Sequence, residues 1–157
     1  MTNMPPLNFS KWMSWGKRFE FADRKEPGVY MISITENDLE GKEPRYEDVV
    51  YIGMTTSQGG LLHRWKQFDN SITKGEYLKG NGNSGGDSAF KDLGNYKDWQ
   101  LRNLRLYVCG YALACNTKKT ERASDDLIKM GIIRYLEYKA LSECKSVTGS
   151  EPKYNTQ

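Results

Sequence analysis

The chain has 157 residues, a length that suits one domain and excludes two full enzyme domains. Its 23 basic and 20 acidic side chains leave a net charge of +3, which does not by itself mark a nucleic-acid binder. The single histidine, His63, excludes sites built from two or three histidines, such as H-E-x-x-H proteases and histidine-rich zinc hydrolases. Cofactor-free catalysis must therefore lean on Tyr, Arg, Lys, Glu, Asp or Asn.

Cys109, Cys115 and Cys144 are an odd number with no C-x-x-C pair, so neither a disulfide framework nor a four-cysteine zinc site is expected. No apolar run approaches the roughly 20 residues that span a bilayer. Residues 1–9 lack a basic-then-apolar signal pattern. The sequence predicts a soluble, cytoplasmic chain in a reducing interior, with no membrane partner.

Gly28 to Ile34 follows Pro27 and is rich in β-formers, predicting a strand with Tyr30, Ile32 and Ile34 on one face. Asp48 to Met54 predicts a second strand, with Val49, Tyr51 and Gly53 sharing a face. The acidic segment Thr35 to Glu47, with Gly41 and Pro44, reads as a long hairpin loop that makes the two strands antiparallel neighbours. Leu61, Trp65, Phe68 and Ile72 are spaced as one stripe of a helix from about 61 to 74.

A Gly/Asn/Lys loop over 75–86 precedes a short helix, Asp87 to Leu93, capped by Asp87 or Ser84. Arg102 to Tyr111 alternates around Leu104, Leu106 and Val108 and reads as a third strand. Thr120 or Ser124 caps a long helix that runs to about Cys144. The order β, β, α, α, β, α predicts a single α/β (α+β) domain over 1–157 with a three-stranded sheet, too short in strands for a doubly wound dinucleotide fold.

Two charges sit where apolar residues belong. Arg64 falls on the edge of the first helix's stripe, and Glu137 falls inside the stripe of Ile133, Leu136, Ala140 and Cys144. A partly buried charge needs a partner. Either the two pair with each other, or one reaches water, or they form a phosphate-binding Arg and a metal-binding carboxylate in one cleft. Residues 55–119 hold ten basic and five acidic residues, so the positive charge is concentrated in the segment that carries Arg64.

Gly28-Val29-Tyr30, then Tyr51-Ile52-Gly53, Arg64, Glu137 and Pro152-Lys-Tyr-Asn155, in that order, resemble the GIY-YIG nuclease superfamily. The stretches HRWKQF around Arg64 and SAFKDLGN at 88–95 are similar to those of GIY-YIG homing endonucleases. The resemblance covers about 27–155 and leaves 1–26 as an N-terminal extension. It implies a three-stranded antiparallel sheet flanked by helices, and hydrolysis of DNA phosphodiesters with one Mg²⁺ (or Mn²⁺).

The resemblance also implies roles. Tyr30 and Tyr51 position or deprotonate the attacking water, with Tyr30 as base; Arg64 neutralises the scissile phosphate; Glu137 holds the metal; Asn155 completes the site by hydrogen bonding. General chemistry agrees. A free Tyr has a pKa near ~10, and a nearby cation favours its phenolate. An Arg fork suits phosphate, and Mg²⁺ takes hard oxygen ligands completed by water and substrate.

Further phosphate contacts are expected from His63, Lys66, Lys74, Lys79, Lys91, Arg102 and Arg105, and also from Asn83. Departures stand beside the matches. Phe68 occupies a position that is His or Tyr in many members, Asn83 one that is His in some, and Met54 one that is often Lys. These substitutions motivate the alternative of a weak or inactive GIY-YIG-like module that binds nucleic acid or a partner. In so short a chain, specificity is expected from its own loops, a homodimer or a partner protein. Glu137-Tyr-Lys139 also fits the E-x-K of another nuclease class, but that signature belongs on a strand and the periodicity here is helical.

Overall fold

The computed structural model describes residues 4–75 and 81–156. Four antiparallel strands form one sheet: β1 (Met13–Ser14), β2 (Gly28–Thr35), β3 (Tyr51–Thr55) and β4 (Arg105–Ala112), in the order β1-β4-β2-β3. The expected three strands are β2, β3 and β4. The fourth comes from the segment expected to be an extension: Met13 pairs with Val108 and Ser14 with Tyr107 along the outer side of β4. A short edge strand of this kind shields the longer β4 from pairing with another chain.

The hairpin loop helps hold that strand. Trp12 exchanges backbone hydrogen bonds with Gly41 and Lys42, while Glu40 accepts from both the N–H and the hydroxyl of Ser14. Residues 12–20 are thus part of the fold.

Both faces of the sheet are covered. Helices α1 (Gly60–Lys74) and α2 (Ser84–Leu93) pack on one, where Tyr30, Ile32, Tyr51, Leu61, Trp65 and Phe68 are buried together. Helix α3 (Ser124–Thr148) covers the other, over Val29, Met31, Ile52 and Cys109. Successive strand residues alternate between these cores. Val49 differs from expectation: a 3-10 turn, Tyr46–Asp48, delays the strand until Tyr51, and Val49 packs in the α3 core, opposite Tyr51.

Helix α2 begins earlier than its sequence suggested, because the cap is Asn83, whose side-chain oxygen accepts from the N–H groups of Gly85 and Gly86. The helical state of 124–148 removes the strand that an E-x-K site requires. Cys109, Cys115 and Cys144 are unpaired. Among the described residues no helix is long and apolar enough to cross a membrane.

Candidate active site

The two glycines of the motif make room for the first tyrosine. Tyr30 of β2 lies opposite Gly53 of β3, and a Cβ on Gly53 would fall 2.6 Å from the Tyr30 ring and hydroxyl. At Gly28, a Cβ would lie 2.1 Å from the carbonyl oxygen of Tyr111, so β2 and β4 approach there as only glycine allows. Tyr30 and Tyr51 stand side by side, ring centroids 6.1 Å apart.

Both are buried, Tyr51 at 6% exposure, and their place at the cleft separates them. Tyr30 is wholly buried, whereas Tyr51 borders an open cleft of about 590 Å³. Burial pushes the Tyr30 hydroxyl well above its ordinary range and the neighbouring Tyr51 adds to this, while Arg64 and Asn83 pull the other way. Asn83 is itself buried and donates through Nδ2 to Tyr30 Oη at 2.9 Å. A buried Asn83 cannot contact a phosphate backbone, and its role is internal.

Glu137 and Asn155 line the same cleft as Tyr51, although they come from α3 and the C-terminal segment. Ser84, at the start of α2, closes one side, its Oγ 3.5 Å from Tyr51 Oη. Burial raises the pKa of Glu137, partly offset by Arg134 and Arg64. Arg64 is half-buried on α1 and donates from Nη1 to Gln67 Oε1 at 2.8 Å. Arg64 and Glu137 form no ion pair with each other: Arg64 is held by Gln67, and the charges acting on Glu137 are those of Arg134 and Arg64.

Asn155 is engaged on both sides of its amide. Its Oδ1 accepts from Ile52 N–H at 2.9 Å and its Nδ2 donates to Ile52 C=O at 2.8 Å, fastening the C-terminal segment to β3. Tyr154 continues the strap: its N–H donates to Val50 C=O and its hydroxyl donates to Asp92 on α2 at 2.6 Å. Tyr154, Ser84, Tyr138, Lys145 and Glu151 also line the cleft, and sequence reasoning placed none of them in the site. The only signal for Tyr138 was its place beside Glu137.

The expected phosphate contacts scatter. His63 and Lys66 line a separate groove on the outer side of α1. Lys74, Lys91, Arg102 and Arg105 are exposed, with Arg102 donating to Leu93 C=O and Arg105 4.0 Å from Asp38. None of these lines the cleft. Lys79 lies outside the described residues. Phe68 is core, with ring contacts to Trp15 and Tyr51. Trp99 is buried too, its indole donating to Gly94 C=O.

Among the described residues no group of three or more His, Cys, Asp and Glu is placed to hold a metal ion. The cleft is lined by two carboxylates, Glu137 and Glu151, and such a pair fits Mg²⁺ only with water and substrate oxygens as further ligands, which is an ordinary way of holding that ion. Comparison with protein-family models, with curated proteins and with solved structures returned no match.

Proposed function

We propose that the chain is a metal-dependent endonuclease that hydrolyses DNA phosphodiester bonds in the manner of the GIY-YIG superfamily. The observation that carries this reading is the convergence of Tyr51, Glu137 and Asn155, remote in sequence and on three different elements, around one open cleft. Arg64 stands close enough for its charge to act on both Glu137 and Tyr30.

A group that handles the attacking water must touch it, and of the two tyrosines Tyr51 is the one at the cleft wall. Tyr51 therefore orients the attacking water through its hydroxyl. Tyr30, kept neutral by burial, supports it from behind, a division of labour that differs from Tyr30 as base. Arg64 turns its planar fork to the scissile phosphate and stabilises the charge that builds there. Glu137 would hold Mg²⁺ or Mn²⁺, which when bound supplies further charge neutralisation at the phosphate. Asn155 keeps the cleft's edge strand in place.

The test is incubation with supercoiled plasmid and with short single strands, in Mg²⁺, Mn²⁺ and EDTA. Nicking in the metal arms, lost in EDTA, in Glu137→Gln and in Arg64→Ala, is the expected result. Metal-dependent nicking unchanged by Glu137→Gln sinks the site assignment. A second reading, an inactive nucleic-acid- or partner-binding module, is favoured by the consumption of Phe68 and Asn83 in packing. Turnover abolished by Arg64→Ala disposes of it.

A further inference from the structure

On the side of α1 turned away from the cleft, a groove of about 650 Å³ runs between the 3-10 turn Trp15–Glu20, Lys25 and the helix. None of its lining residues lines the cleft. Phe19 is 54% exposed there, and it is not loose. The Arg18 guanidinium lies 4.5 Å from the centroids of both the Phe19 and the Trp15 rings. Arg18 is in turn fixed by donating to Trp15 C=O at 2.8 Å and by Asp69 at 3.8 Å. Phe19 is thus a ring held in place with part of its surface open.

Two of the charges around it, Lys25 and Lys66, are uncompensated among the described residues. Asp69, the one acid lining the groove, is taken up by Arg18 and by the Trp15 indole, which donates to it at 2.8 Å. Lys25 and Lys66 are exposed and have no ion pair among the described residues. An open ring beside free ammonium groups matches the alternation of base and phosphate along a single strand, since a duplex buries its base faces and offers only edges and phosphates.

We propose that this groove binds a single-stranded stretch of nucleic acid, a base lying on Phe19 and phosphates held by Lys25 and Lys66. The assignment rests on the nucleic-acid reading of the cleft for its choice of polymer, but uses different residues. It gives a short chain a second grip on its substrate, one that favours an unpaired segment next to the cut.

Anisotropy of a labelled oligo-dT strand, with the whole chain in EDTA so that nothing is cut, tests it. Phe19→Ala should weaken binding by roughly tenfold, within the range that base stacking gives, while Phe19→Trp restores it. Lys25→Glu with Lys66→Glu should weaken it further and flatten the salt dependence by about 0.7 per lysine removed. Binding of the matching duplex should not respond to Phe19→Ala. Unchanged oligo-dT binding in Phe19→Ala overturns the proposal, and so does displacement of the strand by poly-glutamate at equal charge. Plasmid nicking measured on the same proteins separates the two ideas: nicking with no Phe19 effect on strand binding removes only the groove, and a Phe19 effect without nicking removes only the nuclease.

Discussion

Asn83 donates from its side-chain nitrogen to the Tyr30 hydroxyl at 2.9 Å while its side-chain oxygen accepts from Gly85 and Gly86 N–H. The helix cap fixes which end of the amide faces the tyrosine. Tyr30 Oη is therefore an acceptor in this contact, and its own proton points elsewhere. Ser71 completes the arrangement, exchanging hydrogen bonds with the Asn83 backbone.

These two jobs of Asn83 can be separated by substitution. Asn83→Ser retains a capping oxygen but is too short to reach Tyr30, and Asn83→Ala loses both contacts. The Ser variant should be destabilised by about 1–2 kcal/mol for the lost buried hydrogen bond, and the Ala variant by about 1 kcal/mol more for the lost cap. Urea midpoints at constant slope measure this. In a Tyr30→Phe background the Asn-to-Ser step should shrink, because the partner is already gone; an unchanged step would mean the 2.9 Å contact carries no energy.

The Tyr51 ring rests against α2 at a place with no room for a side chain. A Cβ on Gly85 would lie 2.6 Å from three atoms of that ring, so Gly85→Ala forces Tyr51 or the start of α2 to move. Overpacking of this kind costs about 1–3 kcal/mol. The expected signature in the plasmid assay is a loss of turnover larger than the fraction unfolded explains. Gly94→Ala, at the other end of α2 with nothing within 4 Å but a positive φ of 79°, supplies the contrast: a stability cost without a specific loss of turnover.

Most of the local structure was legible in the chain because it rests on periodicity. The stripe Leu61, Trp65, Phe68, Ile72 and the run Gly28 to Ile34 specify a helix and a strand without help from elsewhere. The fourth strand was not legible, since Met13–Ser14 is two residues long and is a strand only because β4 offers it an edge. Asn83 was misjudged for a related reason. A loop Asn before glycines looks solvent-facing, and its burial depends on Ser71 and Tyr30, remote in sequence. The partial burial of Arg64 and Glu137 was legible from their misplaced charge, a signal that needs no partner to be seen.

The C-terminal strap should behave as a clamp on β3. Asn155→Ala removes both hydrogen bonds to Ile52 and leaves that edge-strand amide and carbonyl to water, while Tyr154→Phe removes the bond to Asp92. Each lost bond costs about 0.5–1.5 kcal/mol. Amide exchange at Ile52 should quicken in Asn155→Ala and stay slow in Tyr154→Phe, whose backbone bond to Val50 survives. Equal exchange in the two variants would deny Asn155 a clamping role.

Glu137 is expected to cost the chain stability for the sake of its chemistry. Its pKa is raised, chiefly by burial. A carboxyl with a raised folded-state pKa binds more protons folded than unfolded, so its contribution to stability falls as pH rises from the unfolded value of about 4.3 through the raised one. Above that window the ionised, partly buried carboxylate is a standing penalty. Glu137→Gln should therefore raise the melting temperature in EDTA at neutral pH, and the gain should vanish below about pH 4, where the native residue is already protonated. Millimolar Mg²⁺ should raise the melting temperature of the wild-type chain and leave Glu137→Gln unmoved, since an ion that binds the folded state stabilises it only where its ligand is present. A melting temperature that responds to Mg²⁺ equally in both proteins would place the ion elsewhere, and a Gln variant less stable than wild type at pH 7 would show that the carboxylate is there for packing.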